Sequence, residues 1–289
     1  KNMKIIKLLS LTSLILLAAC GGNKENENQD IVSDSSNVTV KDTTPITVSD
    51  TTKFKFDFAI ANIPSPANSM NQIKDFQHHY DNGLLNDVKN LSKYNTEFQK
   101  SLNLGIYNID MAYAMVNDKG EDVLKYMKNV MMLSDKLGLK SAVDVMVGKR
   151  AENNLSNRDS LFKILDEIFV KSDSYLRTNE RVYTAATIFA GSWLESLYII
   201  CRTAENPLDN SAEIKIHTHL WEQRLYLGNL IILLNDFKDQ KECAELIAEL
   251  KPIHEAINSI PQAKLLDDAK FDAISNSIKT LRNKHTSNN

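Results

Sequence analysis

Two carboxylates, Asp110 and Glu195, lie inside stretches of sequence that are otherwise apolar and helical in pattern. A carboxylate buried among apolar side chains costs several kcal/mol unless it is paired or hydrogen-bonded. One interpretation is a polar pocket that meets a ligand or a partner protein, formed by Asp110, Glu180, Arg181, Trp193 and Glu195. The other is an internal network of ion pairs and helix caps, and the cost of burial favours this structural interpretation.

Histidines are the second group of candidate functional residues, because imidazole is a common metal ligand. His217 and His219 are two residues apart, so on a helix they point in different directions. His219 and Glu222 are three apart and share a face, but two ligands are fewer than a protein zinc site uses. The adjacent pair His78 and His79 has no better spacing. We therefore predict no metal site.

Neither sequence motifs nor net charge indicate catalysis or nucleic-acid binding. The sequence contains no nucleophile elbow, phosphate-binding glycine loop or metalloprotease motif. We assign no catalytic residue and no cofactor, and we do not expect an enzyme. The formal net charge of the 289 residues is −3, which is not the basic footprint of a protein that binds nucleic acid.

The N-terminal stretch ends in a cysteine whose thiol is open to covalent modification. Residues 3–22 read MKIIKLLSLTSLILLAACGG, with two lysines, a short apolar run and small residues before Cys20. This order is that of a secretory signal peptide. A membrane-spanning helix needs about 20 apolar residues, and this run is shorter. The stretch resembles the bacterial lipobox, which implies that residues 1–19 are removed and that Cys20 is acylated.

The resemblance to the lipobox also implies a location. Several acyl chains on one cysteine hold a protein stably at a bilayer, so we expect an envelope protein anchored to the bacterial outer membrane through Cys20. The acidic residues Glu25, Glu27 and Asp30 resemble signals that route some outer-membrane lipoproteins to the cell exterior. Plain solvation is the alternative explanation for them, so both a periplasmic-facing and a surface-exposed position stay open.

The segment 20–53 differs in composition from the rest of the chain. It is rich in Asn, Ser, Thr, Asp and Glu and has few large apolar side chains. It cannot bury enough apolar surface to offset its ordering entropy, so we predict a disordered tether. The folded domain, 54–289, then starts with the alternating string FKFDF, whose period of two is typical of a strand. Since no partner strand is evident, an extended lead into a helix is the alternative.

From residue 68 onward, apolar residues recur three or four apart, as in amphipathic helices. The predicted helices are Ser69–Tyr80, Leu84–Leu91, Glu97–Val116, Glu121–Leu137, Ser141–Asn153, Arg158–Arg177, Glu180–Thr203, Ala212–Phe237, Gln240–Ile260 and Ala269–Lys284. The links between them are short, so consecutive helices must lie antiparallel. We predict an all-α domain of antiparallel helical hairpins, forming a bundle or a stack like that of tetratricopeptide repeats. No second copy follows at a fixed period, which argues against a true repeat array.

One predicted helix is apolar on nearly all sides. The stretch Tyr183–Cys201 could span a membrane or form the centre of the domain. Glu195 lies inside it, and Arg181 and Arg202 flank it, which favours burial in the protein.

Two cysteines besides Cys20 occur in the folded domain. Cys201 and Cys243 could form a disulfide in an oxidising envelope. Both lie in apolar helical context, where free buried thiols are common, and this favours unpaired cysteines.

Six strings between residues 54 and 235 together resemble a family of uncharacterised bacterial lipoproteins with an all-helical domain. They are IANIPSP at 60–66, KYNT at 93–96, LGIY at 104–107, NRDSL at 157–161, NER at 179–181 and AGSWLESLY at 190–198. The resemblance implies a fold and a location, and it implies no mechanism.

Two functions are compatible with these observations. The first, which we favour from the sequence, is a lipid-anchored protein whose helical domain binds or scaffolds an envelope protein. The second is a carrier that holds a small or apolar ligand between its helices, since helical bundles often place ligand sites in their cores. A wide dry cavity beside Trp193 would favour the carrier, whereas a filled core with an exposed apolar patch would favour the scaffold.

Overall fold

The computed structural model describes residues 48–62, 65–76, 79–139, 145–154, 157–178, 181–204 and 210–287, which belong to one compact unit, Pro45–Asn289. These residues form α-helices joined by short 3-10 segments and contain no strand, which confirms the all-α prediction. Cys20 and the leader before it lie outside the described residues. The helices are α1 (Asp50–Asn62), α2 (Pro66–Asn71), α3 (Glu97–Val116), α4 (Gly120–Lys136), α5 (Val145–Glu152), α6 (Arg158–Thr178), α7 (Val182–Thr203), α8 (Asn210–Leu234), α9 (Lys241–Asn258) and α10 (Asp268–Ser287).

From residue 97 onward the helices lie where the apolar spacing predicts them. The start of α3 shows why the sequence folds there. The hydroxyl of Thr96 accepts a hydrogen bond from the backbone N–H of Gln99, and the side chain of Gln99 accepts one from the backbone N–H of Thr96. This reciprocal capping box satisfies two N–H groups that have no partner within the helix.

The first part of the domain differs from the prediction. The string FKFDF is neither a strand nor an extended lead but part of α1, which begins at Asp50, four residues before the expected start of the domain. Thr52, Phe56 and Ala59 are buried at helical spacing, whereas Phe54 and Phe58 are 70% and 52% exposed. Burial of one helical face therefore determines the structure of this segment, although its local apolar pattern has a period of two. α1 ends at Asn62, before the two prolines.

The helices predicted at Ser69–Tyr80 and Leu84–Leu91 are also wrong in type. The described residues of this stretch form only α2 and the 3-10 segments Gln72–Phe76, Asn82–Leu84 and Val88–Lys93. The side chains of Asp81 and Asp87 accept hydrogen bonds from backbone N–H groups two residues ahead, at Gly83 and Lys89. Such local bonds compete with the continuous hydrogen bonding of an α-helix.

The domain is built around α3 and α7, which are buried along most of their lengths and pack against each other. Their backbones approach closely because a glycine from each helix lies at the contact. A Cβ atom on Gly105 would lie 2.0 Å from the carbonyl oxygen of Ile188, and one on Gly191 would lie 1.9 Å from that of Leu102. The hydroxyl of Ser192 donates to the carbonyl of Gly105 at 3.3 Å across this contact.

The remaining helices surround this central pair. α4 returns along α3, α8 and α10 pack on α7, and α9 packs on α8 and α10. In a repeat solenoid each unit contacts only its sequence neighbours, whereas here the largest contact joins α3 to α7. The architecture is therefore a bundle around two central helices.

α7 is long and apolar enough to cross a membrane by length and composition alone. In the structure, however, 94% of its most apolar window is buried by the other helices. The core helix of a water-soluble domain passes the same test, and the burial matches the interpretation of this stretch as the centre of the domain.

Candidate functional site

The two carboxylates singled out by the sequence meet in the core. Glu195 on α7 and Asp110 on α3 are both fully buried, and the carboxyl groups lie within hydrogen-bonding reach of each other. Arg282 on α10 donates from Nε to one oxygen of Glu195 at 2.9 Å and from Nη2 to the other at 2.8 Å. Its guanidinium also donates to the carbonyl of Leu84 at 3.0 Å and lies 4.5 Å from the ring of Tyr198.

The pKa values of Asp110 and Arg282 are both shifted in this cluster. Burial and then the negative charge of Glu195 raise the pKa of Asp110 well above its usual value, and the nearby guanidinium of Arg282 offsets only part of this. Burial alone would lower the pKa of Arg282, but the charge and hydrogen bonds of Glu195 outweigh it and raise the pKa. The pattern favours a neutral Asp110 beside an ionised pair of Glu195 and Arg282.

Asp110 is incompletely hydrogen-bonded. Its Oδ2 accepts from the backbone N–H of Asn86 at 3.2 Å, while its buried Oδ1 has no hydrogen-bond partner among the described residues. A protonated Asp110 resolves this, because a carboxylic acid can donate its proton to Glu195. The cluster is enclosed by the surrounding helices: Asp110 and Glu195 are 0% exposed and Arg282 is 7% exposed.

A polar network extends from this cluster toward the end of α10. The amide of Asn86 donates to the hydroxyl of Tyr94 at 2.9 Å, and that hydroxyl donates to the carbonyl of Thr286 at 3.3 Å. Asn103 donates to the carbonyl of His285 at 3.1 Å. These bonds join α10 to α3 and the preceding loops, which is a structural role.

Arg181 lies apart from Asp110 and Glu195. Its guanidinium donates to Glu97 at 3.0 Å and to the carbonyl of Leu137 at 2.5 Å, so it joins the start of α3 to the end of α4. Glu180 lies outside the described residues. The five residues grouped by the sequence thus do not form one pocket.

Trp193 also lies apart from Glu195, because residues two apart on a helix face in nearly opposite directions. It lines a cleft of about 480 Å³ bounded by α2 and the following 3-10 segment, by α7 and by α8. Its apolar lining is formed by Phe76, Trp193, Leu197, Ile214 and Tyr226. Cavities of about 300–1,000 Å³ with mainly apolar walls and a few polar groups are typical of small-molecule sites.

A chain of hydrogen bonds runs along one wall of this cleft. The indole N–H of Trp193 donates to Oε1 of Gln223 at 3.2 Å, and Nε2 of Gln223 lies 3.1 Å from Nε2 of His219. The His219 ring packs edge-on against Phe76, with centroids 5.9 Å apart. Burial lowers the pKa of His219 to about 4, so its ring is neutral at physiological pH.

No family model matches this chain, and no curated protein or solved structure is significantly similar to it.

A second group of polar side chains involves the other histidine of α8. Three side chains each offer one potential metal-ligand atom here: Glu213, His217 and Asp268. These atoms all lie within 4.8 Å of one another, which is close enough to hold a metal ion. The ring of His217 stacks on Phe271 with centroids 4.3 Å apart, and its Nδ1 lies 3.2 Å from the carbonyl of Leu266. Asp268 is exposed.

The partners that complete these sites were not predicted from the sequence. Arg282 and Asp268 lie far along the chain from the residues they contact, and Gln223 of α8 joins Trp193 of α7 to His219 on its own helix. Only the spacing of four between His219 and Gln223, and between Glu213 and His217, was visible as a shared helix face.

Proposed function

We propose that this chain is a lipid-anchored envelope protein whose helical domain carries a small, largely apolar molecule in the cleft beside Trp193. One observation carries the proposal: a cleft of about 480 Å³ lies where α2, α7 and α8 meet, lined mainly by apolar side chains. The size is that of a small-molecule site. The buried cluster of Asp110, Glu195 and Arg282 supports the cleft only indirectly, by holding α7 in the bundle.

The anchor in this proposal rests on the lipobox-like stretch ending at Cys20, and the location it implies is the bacterial outer membrane. No catalytic residue, cofactor or nucleic acid forms part of the proposal. A carrier of an apolar molecule needs a cleft that excludes water and a body that stays near the bilayer, and a lipid tether supplies the second requirement.

The ligand is tested with the full lipidated protein and the neutral apolar dye N-phenylnaphthylamine, whose emission rises in apolar surroundings. We expect saturable binding to the wild type and loss of binding in Thr218→Trp, which fills the cleft from α8. Leu225→Trp adds the same side chain to an exposed position of α8 outside the cleft lining, and it should bind like the wild type. The carrier function is contradicted if the wild type shows no saturable binding, or if Thr218→Trp and Leu225→Trp bind the dye equally.

The anchor is tested separately through Cys20→Ser. The wild-type protein should fractionate with membranes and incorporate a radioactive fatty acid, and the variant should do neither. A variant that keeps both properties contradicts lipid attachment at this residue.

A scaffold for an envelope protein is the second candidate, and a specific surface favours it. An open groove of about 490 Å³ runs between α9 and α10, lined by apolar and small residues that include Pro252, Ile253, Ala256, Ile274 and Leu281. Large apolar side chains are also exposed on α8, at Ile214, Leu225 and Ile232. Affinity recovery of the lipidated protein from membranes distinguishes the candidates: a stoichiometric envelope protein supports the scaffold, and a bound small molecule in native mass spectrometry supports the carrier.

A further inference from the structure

The hydrogen-bond chain in the cleft has a fixed direction. An indole N–H can only donate, so the atom of Gln223 that faces Trp193 must be the amide oxygen. The amide nitrogen of Gln223 therefore faces His219, and an amide NH₂ can only donate. Nε2 of His219 must accept this bond, which places the single proton of the neutral ring on Nδ1.

The proton on Nδ1 of His219 is available to a ligand. No hydrogen bond to this atom occurs among the described residues, and the ring lines the cleft. Two hydroxyls of the lining donate to backbone carbonyls: Thr218 to that of Ile214 at 2.8 Å, and Ser192 to that of Gly105. The hydroxyls of Ser69, Ser196 and Tyr226 also line the cleft. The wall of the cleft therefore presents an imidazole N–H donor for which the described residues give no hydrogen-bond acceptor.

The charge of the lining limits the ligand further. Among the described lining residues, Lys215 and Glu222 are the charged ones, and both are exposed and opposite in sign. The inner wall, formed by Phe76, Trp193 and the neutral ring of His219, offers no charge to compensate a buried ionic group, and burying an uncompensated ion is costly.

We infer that the cleft selects uncharged, largely apolar molecules that carry a carbonyl or ether oxygen, which accepts a hydrogen bond from Nδ1 of His219. This inference rests on the proposed carrier function and names the ligand class of the same cleft. Trp193 and Gln223 act as positioning residues, because they hold the imidazole in the tautomer that donates.

The tautomer is tested first, without any ligand. A long-range proton–nitrogen NMR correlation spectrum of the full-length protein at neutral pH should show His219 protonated on Nδ1. Gln223→Leu removes the donor to Nε2 and should allow the other tautomer to appear. A wild-type ring protonated on Nε2 overturns the inference, whatever the cleft binds.

Selectivity is tested with two neutral naphthalene dyes: Prodan, which carries a ketone, and N-phenylnaphthylamine, which does not. We expect His219→Phe, which keeps a ring against Phe76, to weaken Prodan binding about tenfold, the effect of losing one hydrogen bond to a buried acceptor. The emission of bound Prodan should also move to shorter wavelength, because its carbonyl is no longer hydrogen-bonded. Binding of N-phenylnaphthylamine should change less than about twofold.

A matched control is His254→Phe, which replaces a histidine of α9 outside the cleft lining and should alter neither dye. If His219→Phe weakens both dyes equally, the ring acts by packing and the inference fails while the carrier stands. If the wild type binds neither dye, the carrier itself fails.

Discussion

The guanidinium of Arg282 and the carboxylate of Glu195 form a two-bonded ion pair, at 2.9 and 2.8 Å, in which neither side chain is more than 9% exposed. The pair joins the C-terminal helix α10 to the central helix α7 across 87 residues of sequence. Breaking such a pair by removing one partner leaves an uncompensated charge in the core. The pair therefore constrains the packing of the last helix on the bundle.

We expect Arg282→Met to lower the free energy of unfolding by about 3–5 kcal/mol, because Glu195 then stays buried without its partner. Urea denaturation followed by circular dichroism measures this loss. Lys241→Met is the control: Lys241 and Glu245 form an exposed pair at 3.9 Å, and such pairs contribute about 0–1 kcal/mol. A loss of similar size in both variants contradicts the special role of the buried pair.

Glu195→Gln separates a structural role from a binding role. We expect it to lower stability as well, because Arg282 loses the charge that compensates its own. Ligand and partner binding by the fraction that remains folded should match those of the wild type. Loss of binding at unchanged stability would instead place Glu195 in a functional pocket.

Asp110 makes the stability of the domain depend on pH. Because its pKa in the folded state lies well above the unfolded value of 3.8, the folded state holds a proton that the unfolded state has lost. The contribution is full below pH 3.8 and decreases as pH rises toward the folded pKa, by about 1.4 kcal/mol per pH unit. Asp110→Asn keeps a neutral donor toward Glu195 and should remove this slope.

The slope is measured by urea unfolding at a series of pH values above 4. The difference in stability between Asp110→Asn and the wild type should grow with pH. Asp272→Asn, at an exposed position of α10, is the control and should run parallel to the wild type. Parallel curves for all three proteins would mean that Asp110 is ionised in the folded state.

The sequence predicts local elements far better than it predicts their partners. α3 begins and ends at the predicted residues, Glu97 and Val116, because the capping box and the apolar spacing are both local signals. α1 was missed because its buried residues, Thr52, Phe56 and Ala59, overlap a string whose local period is two. Tertiary packing on α7 and α8 decides between the two periods.

The residues of the buried cluster and of the cleft could likewise be predicted only in part from the sequence. The burial cost of Asp110 and Glu195 correctly indicates that they need partners, but nothing in a single sequence indicates Arg282 as the partner. Helical geometry could have separated Trp193 from Glu195, since residues two apart do not share a face. The cleft beside Trp193 needs α2, α7 and α8 together, so it becomes visible only in the folded chain.

The glycines at the contact of α3 and α7 should not tolerate a side chain. In Gly191→Ala the new methyl group would lie 1.9 Å from the carbonyl oxygen of Leu102, so the two central helices must separate. We expect a loss of stability above about 3 kcal/mol, at the upper end of overpacking effects. Gly228→Ala in α8 is the control, since its methyl group meets the side chain of His254 at 3.1 Å and helix propensity favours alanine. Thermal unfolding that affects both variants equally contradicts the close approach.

The thiols of Cys201 and Cys243 should be unreactive in the folded protein. Both are fully buried and unpaired, and burial raises the pKa of each to about 12, so the reactive thiolate is scarce at neutral pH. A chromogenic disulfide reagent should therefore detect no thiol in the native lipidated protein and two in urea. Detection of a third thiol in urea would mean that Cys20 carries no lipid, and rapid reaction of the native protein would mean that α7 or α9 is not packed as the structure shows.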